Sequence, residues 1–345
     1  MQKEIVSRDE LLDQDGNLKT IGYSKKMIVD YNREVIKKKG RIKEWDYYYI
    51  GDSRFGLCLT ISGLSYANVI SASVIDFISI KDYNKTSMQF FPKQEQRDFF
   101  PRNSLEGLTY LKTKDAEFSF DVKPDGRYLS GIYKNYYGKG VDLEFAVKLT
   151  SEPEESMVKS TPFKKENQFY YNQKINCMTA SGYFTFKGRK YEFLPNKAMA
   201  TLDWGRGVLP YNSMWYWASM QTRLEDGKTF GFNLGCELGD NSQATENMIF
   251  YDGKAHKLGD IKIYTRHNNR GNAFMGDWTF YSDDRRLELV FEPIIDRHPP
   301  FNIIFLKFIP HQVFGTFKGQ LTLDDGQVIK LEDVIGFAEK VVNRW

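Results

Sequence analysis

The sequence holds only three cysteines in 345 residues, Cys58, Cys177 and Cys236, far apart and without a CxxC pair. A disulfide framework is excluded, and a reducing compartment is the simplest reading. Four histidines, His256, His267, His298 and His311, show no pair at metal-ligand spacing, so no metal or other cofactor is expected. Net charge is nearly absent, with 48 Lys+Arg against 45 Asp+Glu. A formal +3 gives no general field to hold nucleic acid. The best apolar stretches, Tyr66 to Ile80 and Phe301 to Ile309, are interrupted by Asp76 and Lys307. Neither reaches the ~18 residues of a membrane-spanning helix. The charged N-terminus carries no signal-peptide pattern. A soluble, cytoplasmic protein is expected, with peripheral membrane contact left open.

Site signatures are missing too: no GxGxxG after a strand, no GxxxxGK[ST], no HExxH, no GxSxG, and no basic–aromatic ladder for RNA. Helical periodicity is scarce. Its best instance is Lys25 to Lys38 behind Ser24 as N-cap, with poorly spaced apolar positions. What is abundant is aromatic residues, 15% of the chain, which excludes a disordered polymer.

Strand signals dominate. Val141, Leu143, Phe145, Val147 and Leu149 alternate with polar neighbours, the period of a half-buried strand. Phe118, Phe120 and Val122 do the same ahead of Asp125-Gly126, and Phe317, Gly319, Leu321 and Leu323 ahead of Asp325-Gly326. Asp-Gly also occurs at Asp15, Asp226 and Asp252, and between alternating runs it marks tight hairpins. The class is all-β, an antiparallel barrel or sandwich with few short helices. The length fits two units. Residues 150–173, polar and unpatterned, read as the linker, dividing the chain into 1–160 and 161–345.

Aromatics and acids concentrate in three places. In Glu44-Trp45-Asp46-Tyr47-Tyr48-Tyr49, period two puts Glu44, Asp46 and Tyr48 on one face and the other aromatics opposite. Either the acids face solvent, or they face a lumen and need partners. In Asp203-Trp204-Gly205-Arg206-Gly207, followed by Tyr211, Trp215 and Trp217, the glycines suit a bend across which Asp203 and Arg206 pair. Alternatively, Asp203 lies in an aromatic pocket that raises its pKa and makes it an acid, beside rings that stabilise a cation. Near β-rich sequence, Asn233, Glu246 and Asn247 form either a buried network or a ligand-binding set. Glu339 and Arg344 read as a structural pair.

The stretches LLDQDGNLKTIGYSK, RIKEWDYYYI, LDWGRGVLPY, MWYWAS, FGFNLG, TEN, HQVFGTFKG and GFAEKVVNRW resemble the domain-of-unknown-function family numbered 2804 over nearly the whole chain. Leu209 and Tyr23 stand where that family usually has Trp. Asp203-Trp204-Gly205, Trp215-x-Trp217 and Asp226-Gly227 are also distantly similar to the D-x-x-W-G, W-x-W, D-G pattern of carotenoid-hydratase-like and AttH-like proteins, without the spacer between Asp and Trp. That resemblance implies two lipocalin-like (calycin-type) barrels with an apolar pocket, in a group that includes hydratases and cyclases of isoprenoids and polyenes.

The expected function is binding of an apolar or amphipathic small molecule, such as a lipid, isoprenoid or polyene, in an aromatic-lined barrel pocket. The alternatives are an enzyme of hydratase, cyclase or isomerase type and a structural module with filled barrels. The candidate acids are Asp203 and Glu246. The candidate ligand-binding residues are Glu44, Asp46, Tyr48, Trp204, Arg206, Tyr211, Trp215, Trp217, Asn233 and Asn247.

Overall fold

Alternation of apolar and polar residues becomes strand almost wherever the sequence shows it. The computed structural model describes residues 2–93, 99–268, 271–303 and 306–344. Leu143–Thr150 buries Leu143, Phe145, Val147 and Leu149 and turns Glu144 out. The Asp-Gly pairs make their turns. Asp125-Gly126 lies between Ala116–Lys123 and Gly126–Tyr133. Asp252 and Gly253, both at positive φ (49° and 81°), join Met248–Tyr251 to Lys254–Lys257, as a tight two-residue hairpin demands.

Two curled antiparallel sheets result, and the fold is nearly all-β. The main path of the first runs Lys81–Phe90, Ala67–Asp76, Phe55–Gly63, Ile42–Gly51, Met199–Val208, Phe169–Phe186, Leu143–Thr150, Gly126–Tyr133, Ala116–Lys123, Gly107–Lys112. The second runs Lys254–Lys257, Met248–Tyr251, Thr229–Cys236, Asn212–Arg223, Val328–Arg344, Leu306–Thr322, Leu287–Arg297, Trp278–Ser282, Ile261–Thr265. The chain crosses between sheets at residues 209–211. The polar stretch 150–173, read as a linker, instead contributes Met157–Pro162, which pairs with Phe169–Phe186 and Gly22–Ser24 in the first sheet.

No α-helix forms at Lys25 to Lys38. The Ser24 hydroxyl donates to the Lys26 carbonyl instead of accepting from a helix N–H. Val29 and Tyr31, two apart, are both buried as in extended chain. Two single-turn 3-10 helices, Arg33–Val35 and Lys39–Arg41, follow.

Each sheet packs a core of its own. Tyr48, Leu59, Phe118, Phe145, Phe184 and Trp204 belong to the first, and Met220, Phe232, Trp278, Phe291 and Phe317 to the second. The outer faces are buried as well where the sheets meet back to back. Tyr47, Tyr49, Cys58 and Ile75 of the first sheet pack against Trp217, Phe314 and Phe337 of the second. Tyr49 lies 5.3 Å from Phe314 and 5.7 Å from Phe337, ring centre to ring centre. Such pairs add about 0.5–1.5 kcal/mol each beyond burial. Strands with both faces covered are continuously apolar or paired, and every residue of Met199–Val208 is buried.

Candidate functional site

Where the two outer faces diverge, a cavity of about 410 Å³ opens between them. This cavity lies between the sheets, and large buried side chains such as Phe118, Trp204 and Trp278 pack on the sheets' other faces. Strand parity decides what faces the cavity. On the first sheet, register places Tyr47, Asp203 and Lys174 along one row and Trp45, Gly205 and Asn172 along the next. Facing them, the second sheet aligns Gln312, Glu339, Trp217 and Gly235.

Asp203 is buried against Lys174, whose ammonium lies 2.7 Å from Oδ1 and 3.9 Å over the Trp217 ring. The Trp45 indole N–H donates to Asp203 Oδ2 at 3.2 Å. Burial pushes the Asp203 carboxyl above its ordinary value, opposed by Lys174 and by the indole. Gly205 makes this arrangement possible. A Cβ there would stand 2.3 Å from the Trp45 ring, so only glycine lets the indole lie across the strand, stacked on Tyr170 at 5.3 Å.

Glu339 has a different environment. The Trp215 N–H donates to Oε1 at 2.9 Å and the Gln312 amide to Oε2 at 3.0 Å. Both direct donors are neutral, and desolvation pushes the carboxyl up to about 7. Gln312 is oriented by its own partners, since its Oε1 accepts from Arg297 at 2.9 Å and from the Tyr47 hydroxyl at 3.3 Å.

Glu246, the third carboxylate on the cavity, accepts from Asn172 at 3.3 Å. Asn233 holds its backbone carbonyl at 2.8 Å and accepts from Trp217 at 2.7 Å. Gly235 leaves room for it, because a Cβ there would stand 2.0 Å from Glu246 Oε1. Three tryptophan N–H groups therefore fix three carboxylates, two directly and the third through Asn233.

Of the candidate acids and ligand-binding residues named from the sequence, Asp203, Glu246, Trp215 and Trp217 line the cavity, and Asn233 lies behind Trp217. The others lie elsewhere. Glu44 and Asp46 point into the first sheet and are paired. Arg33 Nε is 3.1 Å from Glu44, and Arg206 is 2.9 Å from Asp46, which also accepts from Thr109 at 2.6 Å. Tyr48 packs on Phe120 at 5.1 Å inside the same core. Trp204 lies there too, with the Arg206 guanidinium 4.1 Å over its ring.

Asp203 and Arg206 do not pair, because residues three apart on a strand face opposite ways. The bend expected at Gly205 and Gly207 is a continuous strand. Tyr211 is partly exposed at the crossing between sheets. Asn247 is fully buried, accepting from the Gly235 N–H and donating to the Gly259 carbonyl. Glu339 does not pair with Arg344, since both lie on the strand Val328–Arg344 and five steps along it turn their side chains to opposite faces. Sequence reasoning missed Lys174, Gln312 and Arg297, which carry no local signal. It also read Trp45 only as the face opposite the acids.

A model of the family described as a domain of unknown function, DUF2804, matches residues 2–345, so the chain belongs to that family. No curated protein matches. Among solved structures, the fold is similar to a protein described as an AttH from Nitrosomonas europaea, with 13% identity over 87% of this chain and 92% of that chain and a TM-score of 0.50. Kievitone hydratase from Nectria haematococca is 10% identical over 88% of each chain, with a TM-score of 0.46. No helix of the described residues is long and apolar enough to cross a membrane.

Proposed function

We propose that this member of the DUF2804 family binds an apolar or amphipathic small molecule, of lipid, isoprenoid or polyene type, in the cavity between its sheets. One observation carries the reading. A cavity of about 410 Å³ is walled by Trp45, Tyr47, Tyr170, Trp215 and Trp217, with a few fixed polar groups among them. Small-molecule sites combine a largely apolar wall with a small number of oriented polar groups in this way. The test is native mass spectrometry of the protein purified from its own host, followed by extraction of whatever is released. A stoichiometric isoprenoid, polyene or lipid supports the reading. A polar metabolite bound stoichiometrically in its place overturns it.

The state of Glu339 favours a second reading, an enzyme acting on the same ligand. A carboxyl held near 7 is partly protonated at neutral pH, which suits a general acid. Asp203 and Glu246, the acids named from the sequence, flank the same cavity. In an isomerisation, the Glu339 carboxylic acid gives its proton to one alkene carbon, and the π pair forms the new C–H bond. The aromatic faces stabilise the carbocation. The adjacent carbon then returns a proton to the carboxylate, and that C–H pair becomes the shifted double bond. The measurement is incubation of the extracted ligand with protein in deuterium oxide. Deuterium should enter the ligand with the wild type and not with Glu339→Gln. Equal incorporation by both proteins excludes Glu339 as the donor.

A further inference from the structure

The cavity reaches one end of the two sheets, and the ladders fix which residues ring that end. Ile42, where one strand begins, stands opposite Val208, where another ends. Ala67 and Phe90, a beginning and an end, stand opposite each other in the same sheet. In the second sheet Asn343 lies between Ser213 and Phe308. The crossing at residues 209–211 joins Val208 to Asn212, so these strand ends share one side of the protein. Tyr66, Phe90, Leu209, Phe301 and Phe308 line the cavity there.

Two features of this rim are left over from core packing. The first is exposed aromatic surface. Phe90 is 44% exposed and Phe308 38%, although both line the cavity. Phe91 is 80% exposed, and its ring centre lies 6.4 Å from that of Phe90. Its φ of 51° is in the left-handed region that a bulky residue rarely adopts. The Phe91 N–H donates to the Tyr66 carbonyl at 2.7 Å, which fixes it beside the cavity wall. Single exposed apolar residues are ordinary, but these three are grouped around the mouth of one cavity.

The second feature is charge of one sign. The segment 37–43 holds Lys37, Lys38, Lys39, Arg41 and Lys43 and no acid. It is tied to the rim. The Ser65 hydroxyl donates to the Lys39 and Ile42 carbonyls at 3.0 and 2.7 Å, and the Arg41 guanidinium donates to the Leu209 carbonyl at 3.2 Å. Lys37 is paired with Asp15 at 2.6 Å, and Lys43 is buried, its ammonium on the Leu64 carbonyl. Lys38 and Lys39 are exposed, and neither makes an ion pair among the described residues.

Exposed rings beside unpaired cations are the two elements of binding at a membrane surface. The rings enter the boundary between head groups and acyl chains, and each nearby cation is drawn to anionic lipid. The chain as a whole carries only +3, so the attraction is a property of this end. We propose that the rim docks on a membrane surface containing anionic phospholipid, with Phe90, Phe91 and Phe308 at the head-group boundary and Lys38, Lys39 and Arg41 against the anionic head groups. The docked cavity opens toward the acyl chains, and an apolar ligand passes between bilayer and cavity without crossing water. This rests on the reading of the cavity as an apolar-ligand site and adds the surface with which it exchanges.

The experiment is flotation of the full chain with vesicles of phosphatidylcholine alone and of phosphatidylcholine with phosphatidylglycerol, at low and high salt. Wild-type protein is expected to bind the anionic vesicles about tenfold or more tightly than the neutral ones, with the difference shrinking as salt rises. Lys38→Gln/Lys39→Gln should lose about fivefold per charge removed on anionic vesicles. Phe91→Ser should weaken binding to either kind by about threefold or more. All three side chains are exposed, so both variants should fold, and circular dichroism checks that they do. Lys197→Gln/Lys330→Gln removes two exposed charges from the other end of the sheets and is the control.

Equal binding to both kinds of vesicle, or binding to neither, overturns the docking surface. A loss in the control as large as in Lys38→Gln/Lys39→Gln assigns the attraction to charge at large and also overturns it. Sedimentation without vesicles tests the other occupant, since a dimer that Phe91→Ser dissociates gives the rim to a second copy of the chain and overturns the proposal. Binding is scored with no cavity ligand present, so failure here leaves the apolar-ligand reading standing.

Discussion

Glu339→Gln separates the electrostatics of the cavity from its packing. The carboxyl lies at about 7 in the folded protein against 4.5 for the free group. At 1.36 kcal/mol per unit, that difference is worth about 3 kcal/mol. The folded pKa is the higher one, so the native state binds more protons than the unfolded chain between these values. The stability this group contributes is therefore greatest below pH 4.5, falls as pH rises through the interval, and levels off above 7. Glutamine removes this loss but introduces a mismatch. Gln312 turns its amide nitrogen toward position 339, because its oxygen is taken by Arg297 and Tyr47. A glutamine that keeps its oxygen on the Trp215 N–H presents a second NH₂ to that nitrogen, at a cost of about 1 kcal/mol.

The variant should thus be about as stable as wild type at pH 5 and more stable by about 2 kcal/mol at pH 8. Asp203, also raised by burial, is present in both proteins and leaves the difference nearly unchanged. The assay is urea denaturation of both proteins from pH 5 to pH 8, comparing midpoints at each pH. A difference that stays flat across the range, or one that turns against the variant as pH rises, refutes the assignment of a desolvated carboxyl at this position.

Three further outcomes follow from the same geometry. Asp203→Asn leaves the Lys174 ammonium buried without its anion and should cost about 3–5 kcal/mol. Adding Lys174→Met should recover much of that loss in thermal melts, whereas additive losses would mean the two charges do not act as a pair. Gly205→Ala puts a Cβ into the Trp45 indole. It should shift tryptophan emission and cost about 1–3 kcal/mol, and an unchanged spectrum would contradict the close approach. Arg206→Met should destabilise by about 3–5 kcal/mol through the stranded Asp46 carboxylate. If Arg206 touched the ligand instead, that variant would lose affinity while keeping its melting temperature.

Much of the fold was legible because its causes are local. Alternation at 116–123 and 141–149 fixes which side chains go inward, whatever the strand pairs with. Asp125-Gly126 and Asp252-Gly253 make turns because glycine and aspartate accept the backbone angles required. The motif around Asp203 forms one strand, Met199–Val208, on which parity separates Asp203 and Gly205 from Trp204 and Arg206. The expected pairing of Asp203 with Arg206 overlooked that parity. The helix expected at Lys25 to Lys38 fails because two buried apolar positions two apart decide for extended chain over a weak helical pattern.

The candidate site was legible only in fragments. Lys174, Asp203, Trp217, Glu246, Gln312 and Glu339 come from six separate segments. No local pattern tells Glu339 that Trp215 and Gln312 are its donors, since Trp215 lies 124 residues away in sequence and Gln312 27, across a hairpin whose register is not written in either strand. The all-β class, the hairpins and the in–out order of most strands were readable from the residues, because these follow from side-chain periodicity and turn chemistry. That the sheets meet by their outer faces and that this cavity lies between them emerged only with the packed fold. Those outcomes depend on register and on the summed volume of side chains brought together from across the chain, and neither quantity exists until the sheets have formed.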